Sequence, residues 1–128
     1  MTKKITFNNK YSPFFDSLKA KVDHYFKQNN IAPTGNFKLY SKTITLALLA
    51  LSLYITLVFF TPEVLLSVLL CIIMGLTLAA IGFNVMHDGA HGSYSSNKTV
   101  NELMAISLNF MGGSSYMWKI KHNLIHHS

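Results

Sequence analysis

Two uncharged runs, separated by only two residues, constrain this chain more than any other feature of it. From Thr43 to Thr61 there are 19 residues without a charge, TITLALLALSLYITLVFFT, and after Pro62 and Glu63 come 23 more, VLLSVLLCIIMGLTLAAIGFNVM, ending at Met86. As helices at ~1.5 Å per residue they reach roughly 28 and 34 Å, against a hydrocarbon thickness of about 30 Å. Soluble domains seldom carry two such runs back to back, and Pro suits the opening turn of a second helix. The pattern therefore predicts a transmembrane helical hairpin with spans 43–61 and 64–86. A signal peptide is a poorer reading of the first run, because 42 residues of polar leader precede it and no small-residue cleavage site separates it from the second.

The layout of charge agrees. Only 12% of the 128 residues are charged and half are hydrophobic, which excludes intrinsic disorder and leaves room for one domain. Of eleven Lys, eight lie at or before Lys42, where they face only Asp16 and Asp23, so the first third carries the whole formal charge of +6. There is no Arg for bidentate base contacts and no nucleic-acid module, so a nucleic-acid partner is excluded in favour of a cytosolic face at a membrane. Lys38 and Lys42 flank the start of the first run, Lys98 follows the second, and the intervening loop has no Lys. The positive-inside rule then places both ends of the hairpin in the cytosol. The single Cys71 cannot form an intrachain disulfide.

Three segments follow. Residues 1–42 form a Lys-rich cytosolic leader, with an amphipathic helix from Tyr11 to Lys27 marked by Phe14, Phe15, Leu18, Val22, Tyr25 and Phe26, and ended by the Asn29–Asn36 linker. Residues 43–86 are the hairpin, and 87–128 lie at the cytosolic face. In the last segment Ser93–Asn97 is a polar loop, Thr99-Val100-Asn101-Glu102 has the form of a capping box, and Gly112-Gly113 is a helix stop. The apolar stretch between them, Leu103 to Met111, is too short to span and belongs at the interface. The expected fold class is an all-α membrane protein, a two-span hairpin with amphipathic and interfacial helices.

Five of the six His fall in two short clusters, His87-Asp88-Gly89-Ala90-His91 after the second span and His122-Asn123-Leu124-Ile125-His126-His127 beyond the interfacial helix. On an α-helix, residues four apart share a face, so His87/His91 and His122/His126 each present two imidazoles in one direction, with His127 turned about 100° away. Both clusters are expected just beneath the hydrocarbon on the same side. Imidazoles gathered there suit iron, copper, nickel or zinc, and the lack of Cys or carboxylate clusters argues against iron–sulfur or calcium. Asn84, three residues before His87, and Asp88 are candidates for the hydrogen bonds that hold a ring tautomer. His24, alone on the leader helix, reads as a polar-face residue.

HDGAH closing a second span, followed about thirty residues later by WKIKHNLIHHS, resembles the first and second histidine boxes of the membrane fatty acid desaturases, particularly the bacterial acyl-lipid and acyl-CoA branch. The resemblance covers most of the chain. It implies that His87, His91, His122, His126 and His127 are ligands of a diiron centre, which with O2 as co-substrate removes two hydrogens from neighbouring methylenes of a fatty acyl chain. The acyl group would be linked to CoA, ACP or a phospholipid within the membrane lipid. The electrons would come from a separate cytochrome b5 or ferredoxin-type donor, since no His-Pro-Gly-Gly haem-binding signature is present. No catalytic residue beyond the metal ligands is implied. That family also has a third histidine box and a second pair of spans, so the resemblance implies an incomplete desaturase fold, an N-terminal part that is inactive alone.

Other readings are an alkane or carotenoid hydroxylase or ketolase of the same histidine-rich type, and a non-enzymatic two-span protein. A bis-His haem is disfavoured because His four apart on one helix cannot take opposite faces of one macrocycle.

Overall fold

The computed structural model describes residues 12–126, and among them all regular structure is helical. The first helix, α1 (Pro13–Gln28), is capped by Ser12, whose hydroxyl accepts the Phe15 N–H at 3.3 Å, and opens on Pro13, which has no N–H to leave unsatisfied. It is the amphipathic helix expected from Tyr11 to Lys27, although Tyr11 itself lies outside the described residues. None of its side chains is buried, and Phe14, Phe15, Leu18, Val22 and Tyr25 are exposed, as is His24.

The two apolar runs become α2 (Phe37–Phe60) and α3 (Val64–Ala90), of 24 and 27 residues, both long and apolar enough to cross a membrane. Each is longer than the uncharged run within it. Asn36 caps α2 by accepting the Leu39 N–H at 3.1 Å, and the helix passes through Lys38 and Lys42 without a break. A lysine can lay its methylene stem along a helix and carry its charge away from the apolar face, so neither need end it. The reversal falls at Thr61–Glu63, with Thr61 in the left-handed region at φ 39°. Pro62 stands in this reversal rather than in the opening turn of α3, which begins at Val64 after Glu63. The Pro62 carbonyl instead accepts the Ser67 hydroxyl at 2.8 Å, closing the turn from outside.

The far ends of α2 and α3 are fastened to each other. Lys42 Nζ donates to Asn84 Oδ1 at 2.7 Å, the Tyr94 hydroxyl donates to Thr43 Oγ1 at 2.8 Å, and the Gly35 N–H donates to the Tyr94 carbonyl at 3.1 Å. Tyr40 and Tyr94 meet edge to face at 5.5 Å. The loop after α3 is thus strapped across the start of α2. In contrast, the flanks of the two helices are bare, with only 6% of each apolar window buried. That surface must face lipid or further protein.

After the strap comes α4 (Lys98–Phe110). The expected capping box is not used: Asn97, the stronger cap, accepts the Thr99 N–H at 2.9 Å, and Glu102 turns away to meet Lys119. Gly112, at φ 84°, ends the helix, and the Gly113 N–H returns to the Leu108 carbonyl at 3.0 Å. A short helix, α5 (Ser115–Lys119), follows, capped by Ser114 and continued by π-helical turns over Ile120–His126.

The core sits where α4 crosses the end of α3. Met86, Ala90 and Ala105 are buried, with Leu108, Met111 and Trp118 packed against them. Asn101, also buried, holds the intervening loop: its Oδ1 accepts the Ser95 N–H at 2.8 Å, and its Nδ2 donates to the carbonyls of Ser95 and Gly92 at 2.7 and 3.1 Å. A Cβ at Gly89 would lie 2.8 Å from both the Ala105 nitrogen and the Asn101 carbonyl oxygen, backbone atoms that cannot rotate aside. Gly→Ala in an open helix gains up to about 1 kcal/mol, whereas overpacking costs about 1–3 kcal/mol. Gly89→Ala is therefore expected to lower the thermal midpoint of the detergent-solubilised chain. Gly75→Ala, in the same helix with nothing within 4 Å, is expected to leave it unchanged or raise it. Equal behaviour of the two variants in a thermal melt would show that the crossing is not close.

Candidate metal centre

The first His pair is carried by the last turn of α3. That helix does not stop at Met86; it loosens into π-helical turns over Gly82–Met86 and tightens again over His87–Ala90. Such π segments are wide turns that occur frequently at functional sites. His91 caps this end, its N–H donating to the His87 carbonyl at 3.0 Å. The two rings consequently share a face, with centroids 4.5 Å apart, as the spacing of four predicts.

His122 arrives from the second cluster. Its centroid is 5.4 Å from that of His87 and 5.0 Å from that of His91. One ligand nitrogen from each of the three rings falls within 4.8 Å of the others. His87 and His122 are half-buried and His91 is exposed, so the group lies at the surface of the helix crossing. The backbone around His122 is π-helical, not the α-helix from which a shared face with His126 was expected. His127 and the side chain of His126 lie outside the described residues.

The second cluster is brought here by two ties. Lys119 Nζ lies 2.6 and 2.7 Å from the carboxylate oxygens of Glu102, fastening α5 to α4. Asn123 Nδ2 donates to the Ala90 carbonyl at 3.0 Å, fastening the π-helical turns to the end of α3, while its Oδ1 is buried without a partner among the described residues. Neither tie was read from the sequence. Asn123 beside His122, and Lys119 seventeen residues from Glu102, carry no local signal.

Of the residues proposed to steady the rings, Asp88 Oδ1 lies 3.4 Å from His87 Nδ1, longer than the roughly 2.7–3.2 Å of a well-formed hydrogen bond. Its backbone carbonyl accepts from Ser93 and Tyr94, turning the chain after the first cluster. Asn84 engages Lys42 and the Ala80 carbonyl rather than an imidazole. Trp118 contributes more than either. Its ring stacks on His122 at 4.1 Å and meets His87 and His91 edge-on at 5.8 Å each.

Three imidazoles whose ligand nitrogens lie within 4.8 Å of one another form a donor set suited to a first-row transition metal, which an imidazole binds through a ring lone pair. On one side of them an apolar groove of about 530 Å³ runs between α3 and α4, bounded by Leu78, Phe83, Met86, Leu108 and Trp118. A second hollow, of about 450 Å³, lies beside His91 and is lined in part by Ser95, Lys98 and Glu102.

Comparison with known proteins decides the family. Residues 63–128, more than half of the chain and including every His just described, match the fatty acid desaturase family. The chain belongs to that family. The sn-1 linoleoyl-lipid 6-desaturases of Arthrospira platensis and Synechocystis are 40% and 35% identical to it, over 99% and 87% of its length. An acyl-lipid (8-3)-desaturase of Physcomitrium patens is 33% identical over 90% of it. The chain spans about a third of the two first-named desaturases, 34% and 31%, and 24% of the moss protein. No solved structure matches it.

In an anaerobic Fe(II) titration of the purified chain in nanodiscs, His87→Ala, His91→Ala and His122→Ala are each expected to weaken binding by more than about 10-fold, while His24→Ala leaves it unchanged. Equal binding by all four variants would remove these rings from any metal site.

Proposed function

We propose that this chain is the N-terminal part of a membrane acyl-lipid desaturase, which introduces a double bond into a fatty acyl chain held in a lipid. The observation that carries the reading is the convergence of imidazoles from two separated segments beside an apolar groove, in a member of this family. His87, His91 and His122 would hold iron, with His126 and His127, from the same π-helical stretch and the residue after it, completing the share of a diiron site that this chain supplies. Iron with O2 provides the oxidising power that an unactivated C–H bond requires, having no acid or base handle of its own.

The surrounding residues have distinct tasks. The groove walls, Leu78, Phe83, Met86 and Leu108, would keep a methylene chain in apolar surroundings up to the edge of His87 and His122. Gly82, lacking a side chain, leaves the groove open beside them. The hollow beside His91 lies on the face from which a separate electron donor of cytochrome b5 or ferredoxin type would approach. The excess of Lys before α2 and at Lys98 supports a cytoplasmic location for this end of the hairpin. The ligand set belongs to the whole enzyme, so the 128 residues by themselves are not expected to turn over. The names of the relatives support an acyl lipid, rather than acyl-CoA or acyl-ACP, as the substrate.

The test is expression of the complete reading frame that encodes these residues, with gas chromatography and mass spectrometry of the host's fatty acids. A new double bond is expected. His91→Ala and His126→Ala should each lower product by more than about 100-fold and reduce bound iron, since losing a ligand is at least as damaging as losing a hydrogen bond to one. A hydroxyl or carbonyl product would assign the chain to another oxidation, and unchanged iron and turnover would take these histidines out of the site.

A further inference from the structure

We propose that Trp118 is a positioning residue of the metal centre, its indole face holding the His122 imidazole in the plane that aims it at the same point as His87 and His91. This rests on the metal reading given above. The contacts among the three imidazoles are edge-on, at 63–77°. The Trp118–His122 contact is of another kind, a parallel stack with an interplanar angle of 19° and a centroid separation of 4.1 Å.

Stacking constrains the plane of an imidazole through its ring face rather than through a ring nitrogen. His122 differs from the first pair in the backbone that carries it. The terminal torsion of a His side chain is broad, and His87 and His91 are set by the last turn and cap of α3, a helix buried at Met86 and Ala90. His122 stands on π-helical turns, with Trp118 four residues earlier on the short helix leading into them. Trp118 is itself held: its side chain packs against the Met86, Ala90 and Ala105 core, its backbone N–H donates to the Ser114 carbonyl at 2.9 Å, and the next residue, Lys119, is tied to Glu102. The indole thus adds a contact on the ring plane of His122 to the backbone tie that Asn123 makes with Ala90.

An aromatic stack of this kind is worth between about 2-fold and about 10-fold in an equilibrium. The test uses Co(II), whose visible absorption reports ligand geometry, titrated into the purified chain in nanodiscs. Trp118→Leu, which keeps apolar bulk but has no ring plane, should weaken Co(II) binding by about 10-fold and change the shape of the visible bands. Trp118→Phe should stay within about 3-fold of the wild type with the wild-type band shape. Wild-type binding in which Trp118→Leu matches both affinity and spectrum would overturn the proposal and leave the metal reading standing. No Co(II) binding by the wild type would overturn both.

Because Trp118 is the only Trp in the chain, its emission gives a second readout that needs no variant. Quenching should track the growth of the visible bands. If Trp118→Leu loses its helical circular dichroism, that titration decides: a site that fills without altering Trp118 emission overturns the proposal.

Discussion

A backbone-to-backbone approach at Gly89 determines where everything after the second span can go. Two helices pass closely only where one of them has no side chain to interpose, and α3 meets α4 at Gly89 opposite Asn101 and Ala105. That approach buries Ala105 completely and brings Leu108 and Met111 onto Met86 and Ala90. It also sets the height at which α4 leaves the crossing, and hence where α5 begins. From there a salt bridge and one amide hydrogen bond bring His122 to His87 and His91. A bulkier residue at position 89 would push α4 outward, and the second cluster would move with it.

The location of the imidazoles matters as much as their convergence. They stand beside the end of a helix whose flank is almost wholly apolar and uncovered, His87 and His122 at an apolar groove and His91 at a hollow that Ser95, Lys98 and Glu102 help to line. A cation at this boundary has an apolar environment on one side, where a lipid tail can lie without desolvating any polar group. Burying the same three rings within the hydrocarbon would impose the penalty of desolvating a charged centre. Placing them in the leader would separate them from the lipid.

Much of this was legible in the sequence, because the strongest signals were local. Uncharged length predicted α2 and α3, and the spacing of four between His87 and His91 predicted one shared face. The errors were also local in kind. Thr99 and Glu102 have the spacing of a capping box, but Asn97 lies closer to the turn and caps better, leaving Glu102 to Lys119. Pro62 reads as a first-turn residue until the left-handed Thr61 places it inside the reversal. What could not be read depends on distant pairs. Asn84 lies one turn before His87, yet the ammonium of Lys42, 42 residues earlier, takes its carbonyl oxygen in a charge-assisted bond. Trp118 stood in the sequence as one letter of a motif, and only the folded chain shows that it touches all three rings.

The strap at the base of the hairpin closes the end that the turn leaves open. Gly35 to Tyr94, Lys42 to Asn84 and Tyr94 to Thr43 all fasten the same end, beside the imidazoles. At the opposite end the bond from Ser67 to Pro62 closes only the turn itself. The helices are also joined there through the chain itself, by the three residues 61–63, so the pair is closed at both ends. Neither end can then splay without breaking these bonds or unwinding the turn, and the histidines at the clasped end ride on a closed frame.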